Sequence, residues 1–146
     1  MENVTTSSPL PTTEKLRVLL AEDNEISRLQ IENVLRESGF EVDSVPDGRC
    51  AVDAVANSPE GHYSAVLMDI LMPVMDGYEA TKAIRALNRT DVFSLPIIAL
   101  TSKAQLNDKI QSFASGFNEH LIKPFDVDEL TATLHKHLSK EKGPCR

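Results

Sequence analysis

The chain has no tryptophan, only two cysteines and few aromatic residues, 5% of 146. Cys50 and Cys145 stand far apart, with no CxxC pair and no histidine at metal-ligand spacing. That pattern argues against a disulfide framework and a thiolate zinc site, and the two cysteines read as free thiols of a reducing compartment. Basic residues are also in short supply, 15 against 22 acidic ones, for a formal net charge of −7. A general nucleic-acid binder needs the opposite sign to displace counterions from phosphates, and so does a protein that docks on an anionic membrane. No apolar run approaches the roughly 18 residues of a spanning helix, and the N-terminal MENVTTSSPLPTTEK has no basic-then-apolar signal pattern. What is present is 41% hydrophobic residues, enough for one packed core. The expectation is a soluble, acidic, cytoplasmic domain with no direct contact to nucleic acid or membrane.

Residues 1–14 are rich in Ser, Thr and Pro and read as a flexible leader or interdomain linker. From Leu16 short apolar runs alternate with helical patterns. The runs are Leu16–Ala21, Ala65–Met68, Pro96–Leu100 and Leu121–Ile122, with a weaker, more alternating one at Phe40–Val45. Runs that are apolar almost throughout suit strands covered on both faces, and the alternating one suits a sheet edge. Five helix candidates separate or follow them. Ile31, Val34 and Leu35 mark the first, with Gly39 at its C-terminal cap. Ala51, Ala54 and Val55 mark the second, after the turn Pro46-Asp47-Gly48. Ala80, Ala83, Ile84 and Leu87 mark the third, and Ile110, Phe113, Ala114 and Phe117 the fourth. The fifth carries a D-x-x-E cap, Asp126 with Glu129, and the stripe Val127, Leu130, Leu134, Leu138. Residues 140–146 read as a tail. Alternating strands and helices imply a mostly parallel sheet with helices on both faces, an α/β doubly wound architecture.

Such sheets place their chemistry at the carboxyl ends of the strands. There the sequence puts Glu22-Asp23 after the first run, Asp69 after the third, Thr101 after the fourth and Lys123 after the fifth. Three carboxylates gathered together are unfavourable unless a cation neutralises them. An oxygen-only donor set suits a hard ion such as Mg²⁺ or Mn²⁺. A lysine and a hydroxyl beside that ion are what a phosphoryl group needs. Each residue alone could be a helix cap or a solvated loop end; their convergence at one end of one sheet is what capping does not explain.

The segments LRVLLAEDNEISR, AVLMDILMPVMDGYEAT, LPIIALTSKA and EHLIKPFDVDEL, in this order and spacing, resemble the receiver domain of two-component response regulators over about Lys15 to Leu138. The resemblance implies a flavodoxin-like (βα)5 fold with strand order 2-1-3-4-5 and a receiver spanning 15–139. It implies that Asp69 is the phosphoacceptor, attacking the phosphohistidine of a histidine kinase. It assigns Mg²⁺ to Asp23 directly, to Glu22 mainly through water, to Asp69 and to the backbone carbonyl of Leu71. Lys123 would bind phosphoryl oxygens, Thr101 would donate its hydroxyl to them, and Lys123-Pro124 would be a cis peptide. Met72-Pro73 and Asp76-Gly77 would shape the loop after Asp69, and Asn24 reads as a helix cap rather than a ligand.

His120 stands where the family usually has a rotating aromatic residue. It reads as a switch residue acting with Thr101, or otherwise as a half-exposed strand residue. Phosphorylation would then alter the surface of the fourth helix, fifth strand and fifth helix, with Lys103, Gln105, Asn107, Lys109, Gln111 and Asn118 exposed on it. Leu71 and Lys103 would tune the lifetime of the aspartyl phosphate, and an apolar Leu71 points to a phosphate longer-lived than in chemotaxis-type receivers. His135 and His137 lie on different helix faces, which argues against a metal site, and His62 has no evident partner.

Rival readings fare worse. A haloacid-dehalogenase-type phosphatase needs a second acid where Leu71 stands, and a dinucleotide or flavin site would be repelled by Glu22-Asp23-Asn24-Glu25. A pseudo-receiver that no longer takes phosphate is disfavoured by the full acidic, hydroxyl and lysine set. The expectation is a phosphoacceptor, not an enzyme beyond its own phosphorylation and dephosphorylation, with no output domain after Leu138. The AEDNEISR segment and the leader favour the receiver of a hybrid sensor kinase, cytoplasmic even where that kinase is membrane-bound. Such a receiver would pass phosphate to a histidine phosphotransfer protein. A stand-alone receiver acting by protein contact is the alternative.

Overall fold

In the computed structural model, which describes residues 16–102 and 114–142, five strands form one parallel sheet. They are β1 (Arg17–Ala21), β2 (Glu41–Val45), β3 (Ala65–Asp69), β4 (Ile97–Thr101) and β5 (Glu119–Ile122), in spatial order β2-β1-β3-β4-β5. The described helices are α1 (Glu25–Glu37), α2 (Gly48–Ala56), α3 (Gly77–Arg85) and α4 (Val127–Lys142), with a 3-10 turn at Asp91–Phe93 before β4. This is the flavodoxin-like order expected of a receiver. The fourth predicted helix lies mostly outside the described residues, as do the leader and the last four residues, so α4 is the fifth helix of the sequence reading.

The apolar runs behave as strands covered on both faces. β3 and β4 are buried along their whole length, while β2, the weaker run, is half-exposed at the sheet edge. Alternate residues of each strand feed two separate cores. Leu19, Val66, Met68, Ile97 and Ala99 pack with Val52, Val55, Ala80 and Ile84 under α2 and α3. Val18, Leu20, Leu67, Ile98, Leu100 and Leu121 pack with Ile31, Leu35, Leu130 and Leu134 under α1 and α4. Burying about 25 cal/mol per Å² on both faces is what makes the central strands tolerate no polar residue until they end.

Local signals set the helix ends. Asn24 Oδ1 accepts the Ser27 N–H at 2.9 Å, so Asn24 does cap α1. At the other end Gly39, φ +100°, closes a Schellman turn, with its N–H bonded to Arg36 O at 3.1 Å and Phe40 N–H to Leu35 O at 3.0 Å. Asp126 and Glu129 bond each other's backbone N–H at 2.8 and 3.1 Å, the reciprocal cap read from the sequence. Asp76 and Glu79 repeat the device at the start of α3. α4 runs on to Lys142, past the last apolar position Leu138, through Lys140-Glu141-Lys142, residue types of good helix propensity.

Candidate functional site

The strands end in step. Ala21 pairs with Met68, Asp69 with Leu100 and Thr101 with Ile122, so the residues at and just beyond these positions share one end of the sheet. Asp69 and Thr101 are themselves the last residues of β3 and β4. Glu22 follows β1 and is held there by its N–H on Val45 O at 3.1 Å and by Arg28 Nη1 donating to its carbonyl at 2.8 Å. Lys123 follows β5, with its N–H on Thr101 O at 2.7 Å, and the Lys123-Pro124 peptide is cis as expected.

These side chains converge. One carboxylate oxygen each of Glu22, Asp23 and Asp69 lies within 4.8 Å of the others. Glu22 is 1% exposed and Asp69 7%, whereas Asp23 is open to solvent. Lys123 Nζ donates to Glu22 Oε1 at 2.9 Å and to Asp69 Oδ2 at 3.3 Å, the one ammonium that bonds these acids among the described residues. The second Glu22 oxygen accepts the Asn24 N–H at 3.2 Å. Thr101, 1% exposed, lies one residue beyond the β4 partner of Asp69, with Oγ1 donating to Ser102 O at 3.3 Å.

The electrostatics are out of balance. Burial pushes the Asp69 carboxyl up to about 6, the Glu22 carboxylate pushes the same way, and Lys123 only partly offsets them. Burial opposes the Lys123 ammonium, but the Glu22 hydrogen bond and the two carboxylates outweigh it and hold Lys123 above its usual value. Three acids against one base, all oxygen donors and two of them buried, fit a hard divalent cation, which would remove the remaining repulsion. Asp23, exposed, leaves that side of the cluster open to solvent.

The other expected residues sit around this cluster. Leu71 is exposed on the loop after β3. Its base is closed by Gly77 N–H on Ile70 O at 2.8 Å, and a Cβ on Gly77 would meet Asp69 O at 2.5 Å, so glycine is required by close approach. His120 lies on β5 opposite Ala99, half-buried, its ring 6.4 Å from that of Phe117. Lys103, Gln105, Asn107, Lys109 and Gln111 lie outside the described residues.

Other residues take roles the sequence did not announce. His62, expected to lack a partner, stacks edge-on against Tyr63 with ring centres 4.7 Å apart and stands 3.9 Å from Asp43. His137 is buried and its Nε2 lies 2.9 Å from Glu119 Oε1. Arg85, at the end of α3, gathers Val92 O, Leu95 O, Gly116 O and Asn118 Oδ1 at 2.6 to 3.1 Å. Its acceptors come from four positions, one in the 3-10 turn and three in loops, brought together only by the fold, so no local pattern could have signalled it.

Comparison with known proteins agrees with this geometry. Residues 18–135 match the model of the response regulator receiver domain. The chain is 40% identical over 121 residues to sensor protein GacS of Pseudomonas syringae pv. syringae, covering 82% of this chain and 13% of that protein. It is 32% identical over 123 residues to transcriptional regulatory protein HprR of Escherichia coli K12, covering 84% and 52% respectively. The chain thus spans about half or less of the length of these relatives. Among solved structures, the receiver domain of sensor histidine kinase PA1611 from Pseudomonas aeruginosa PAO1 superposes with a TM-score of 0.78 at 38% identity. The match covers 86% of this chain and 99% of that one, and that domain holds a magnesium ion in its active-site cleft. On fold, site and sequence together, the chain belongs to the response regulator receiver domain family of two-component signalling.

Proposed function

We propose that Asp69 accepts a phosphoryl group from the phosphohistidine of a histidine kinase, within a receiver unit of about residues 15–139. The observation that carries this reading is the Lys123 ammonium bridging Glu22 and Asp69 inside a cluster of three carboxylates. An Asp69 carboxylate oxygen forms the new O–P bond while the donor's N–P bond breaks, and the leaving imidazole nitrogen takes a proton. Glu22, Asp23, Asp69 and the Leu71 carbonyl would hold Mg²⁺ or Mn²⁺, which supplies neutralisation of the acids and of the incoming phosphoryl oxygens. Lys123 exchanges its Asp69 contact for a phosphoryl oxygen, and the Thr101 hydroxyl donates to another. The protein is in this reading an acceptor that promotes its own phosphorylation and dephosphorylation, not an enzyme with a separate substrate.

Phosphate then passes to a histidine phosphotransfer protein. The support is the rim of the site, where Ile26 and Leu29 of α1, Leu71, Val74 and Val127 are large apolar residues left exposed. Beside them a groove of about 440 Å³ runs between α1 and the Lys123–Leu130 segment, lined by Ile31, Val34, Phe125 and Leu130. Apolar surface around a charged site suits a protein partner rather than a small metabolite. The likeness to sensor protein GacS and to the receiver domain of sensor histidine kinase PA1611 favours a hybrid-kinase setting over a stand-alone regulator. No described helix is long and apolar enough to cross a membrane, and the same reading places the domain in the cytoplasm. On phosphorylation Thr101 and His120 would shift together and change the surface of β5 and its flanking helices. Leu71 and Lys103 would set how long the phosphate lasts.

Intact mass after incubation with Mg²⁺ and phosphoramidate tests the acceptor. A gain of one phosphoryl group that requires Mg²⁺ and is abolished in Asp69→Ala is expected. Failure with phosphoramidate and with a phosphorylated kinase alike would leave only the pseudo-receiver reading.

A further inference from the structure

The loop between β3 and α3 contains a tight turn at an unusual place. Val74 has φ +70°, and the Met75 N–H donates to Pro73 O at 2.7 Å across it. A β-branched residue in the left-handed region is strained and persists only where neighbours over-determine it. Its own side chain supplies nothing, being 80% exposed. The constraint comes from α2. The Gly48 N–H donates to Met75 O at 3.1 Å, and a Cβ on Gly48 would lie 2.2 Å from that oxygen and 3.1 Å from Ala80 Cβ. Glycine is needed here so that two backbones can touch. The loop is thus anchored twice, at its base through Gly77 and Ile70 and at its crown through Met75 and Gly48.

The acidic residues of the cluster stand at strand ends that the sheet fixes, but the Leu71 carbonyl lies in a loop off the sheet and depends on whatever anchors that loop. Mg²⁺ demands close to ideal octahedral geometry, so a small displacement of one ligand costs affinity. We infer that the Gly48–Met75 contact is a latch that holds the β3–α3 loop, and with it the Leu71 carbonyl, where a divalent cation needs it. Gly48 is then a positioning residue for the metal, acting from a helix that contributes no ligand. The inference rests on the receiver reading of Asp69 and its neighbours given above.

Two variants disturb the latch from opposite sides. Gly48→Ala drives a methyl into Met75 O. Val74→Pro forces φ to about −65° at an exposed position, undoing the turn without touching the core. Mg²⁺ affinity of the full chain is read by calorimetric titration, with circular dichroism and thermal melts to establish folding. Both variants are expected to bind Mg²⁺ about tenfold more weakly, the scale on which outer partners of a metal act. Their phosphorylation by phosphoramidate should slow at low Mg²⁺ and recover at saturating Mg²⁺, which general loosening of the fold would not produce. A folded Val74→Pro with wild-type Mg²⁺ affinity overturns the latch, and this variant alone decides if Gly48→Ala fails to fold. A wild-type protein that takes up no Mg²⁺ overturns the receiver reading of the site and the latch together.

Discussion

Arg85 and Lys123 are both cations drawn inward at the end of an element, yet their surroundings are opposite. Arg85 meets neutral acceptors, three backbone carbonyls and one side-chain amide oxygen, through five hydrogen bonds. Burial holds its pKa below the usual value, and nothing around it calls for a further ion. Lys123 meets two carboxylates of a group of three and cannot neutralise them. The first arrangement is complete in itself and ties the end of α3 to the loops before β4 and β5. The second leaves carboxylate charge in excess, a cluster that could hold a metal ion and so a candidate binding site rather than a staple.

Breaking the complete arrangement should cost the most stability. Arg85→Ala leaves several loop carbonyls without their donor and is expected to destabilise the protein by about 3 kcal/mol. Urea unfolding measures this as a lower midpoint at constant slope, while Mg²⁺ affinity stays within a factor of two. A loss below about 1 kcal/mol would mean that water replaces the guanidinium at little cost. Breaking the incomplete arrangement should show in rate instead. Lys123→Met removes the ammonium that meets the phosphoryl oxygens, and phosphorylation by phosphoramidate should slow about a hundredfold. A time course by intact mass checks it, and Mg²⁺ binding should survive because the acids remain.

The smallest effect sharpens the comparison. The Asp69 carboxyl stands at about 6, above its ordinary 3.8, because burial and Glu22 disfavour its charge. Between about pH 4 and 6 the folded protein therefore keeps a proton that the unfolded chain has released. The stability from this group is fully present below pH 4 and is lost as pH rises through about 6. Asp69→Asn removes the titration, so without Mg²⁺ it should be more stable than the wild type at pH 7 by about 1–2 kcal/mol, with little difference at pH 4. Thermal melts at the two pH values test this. A variant no more stable at pH 7 would show that Lys123 already balances the cluster.

Where the sequence was readable, short range explains it. Asn24 caps α1 and Asp126 pairs with Glu129 because those bonds span only three residues. The order of acid, hydroxyl and lysine after successive apolar runs is visible because strands of a parallel sheet all end on the same side. The partner of His62, the acceptors of Arg85 and the approach of Gly48 to Met75 were not readable. Each joins residues from different elements, and two of them use backbone carbonyls, which every residue carries and no residue type betrays.

The sequence by itself determined the alternation of buried strands and amphipathic helices, hence a doubly wound parallel sheet, and which residues of oxygen and nitrogen chemistry stand at its carboxyl end. Periodicity and capping act within a few residues and survive in one dimension. Only the tertiary structure decided that Lys123 reaches both Glu22 and Asp69, that Asp69 is buried enough to resist ionisation, and that the loop beside it is anchored on α2. Those outcomes depend on distances of a few ångströms between segments far apart in the chain, and such distances are set by how the two cores pack against the sheet.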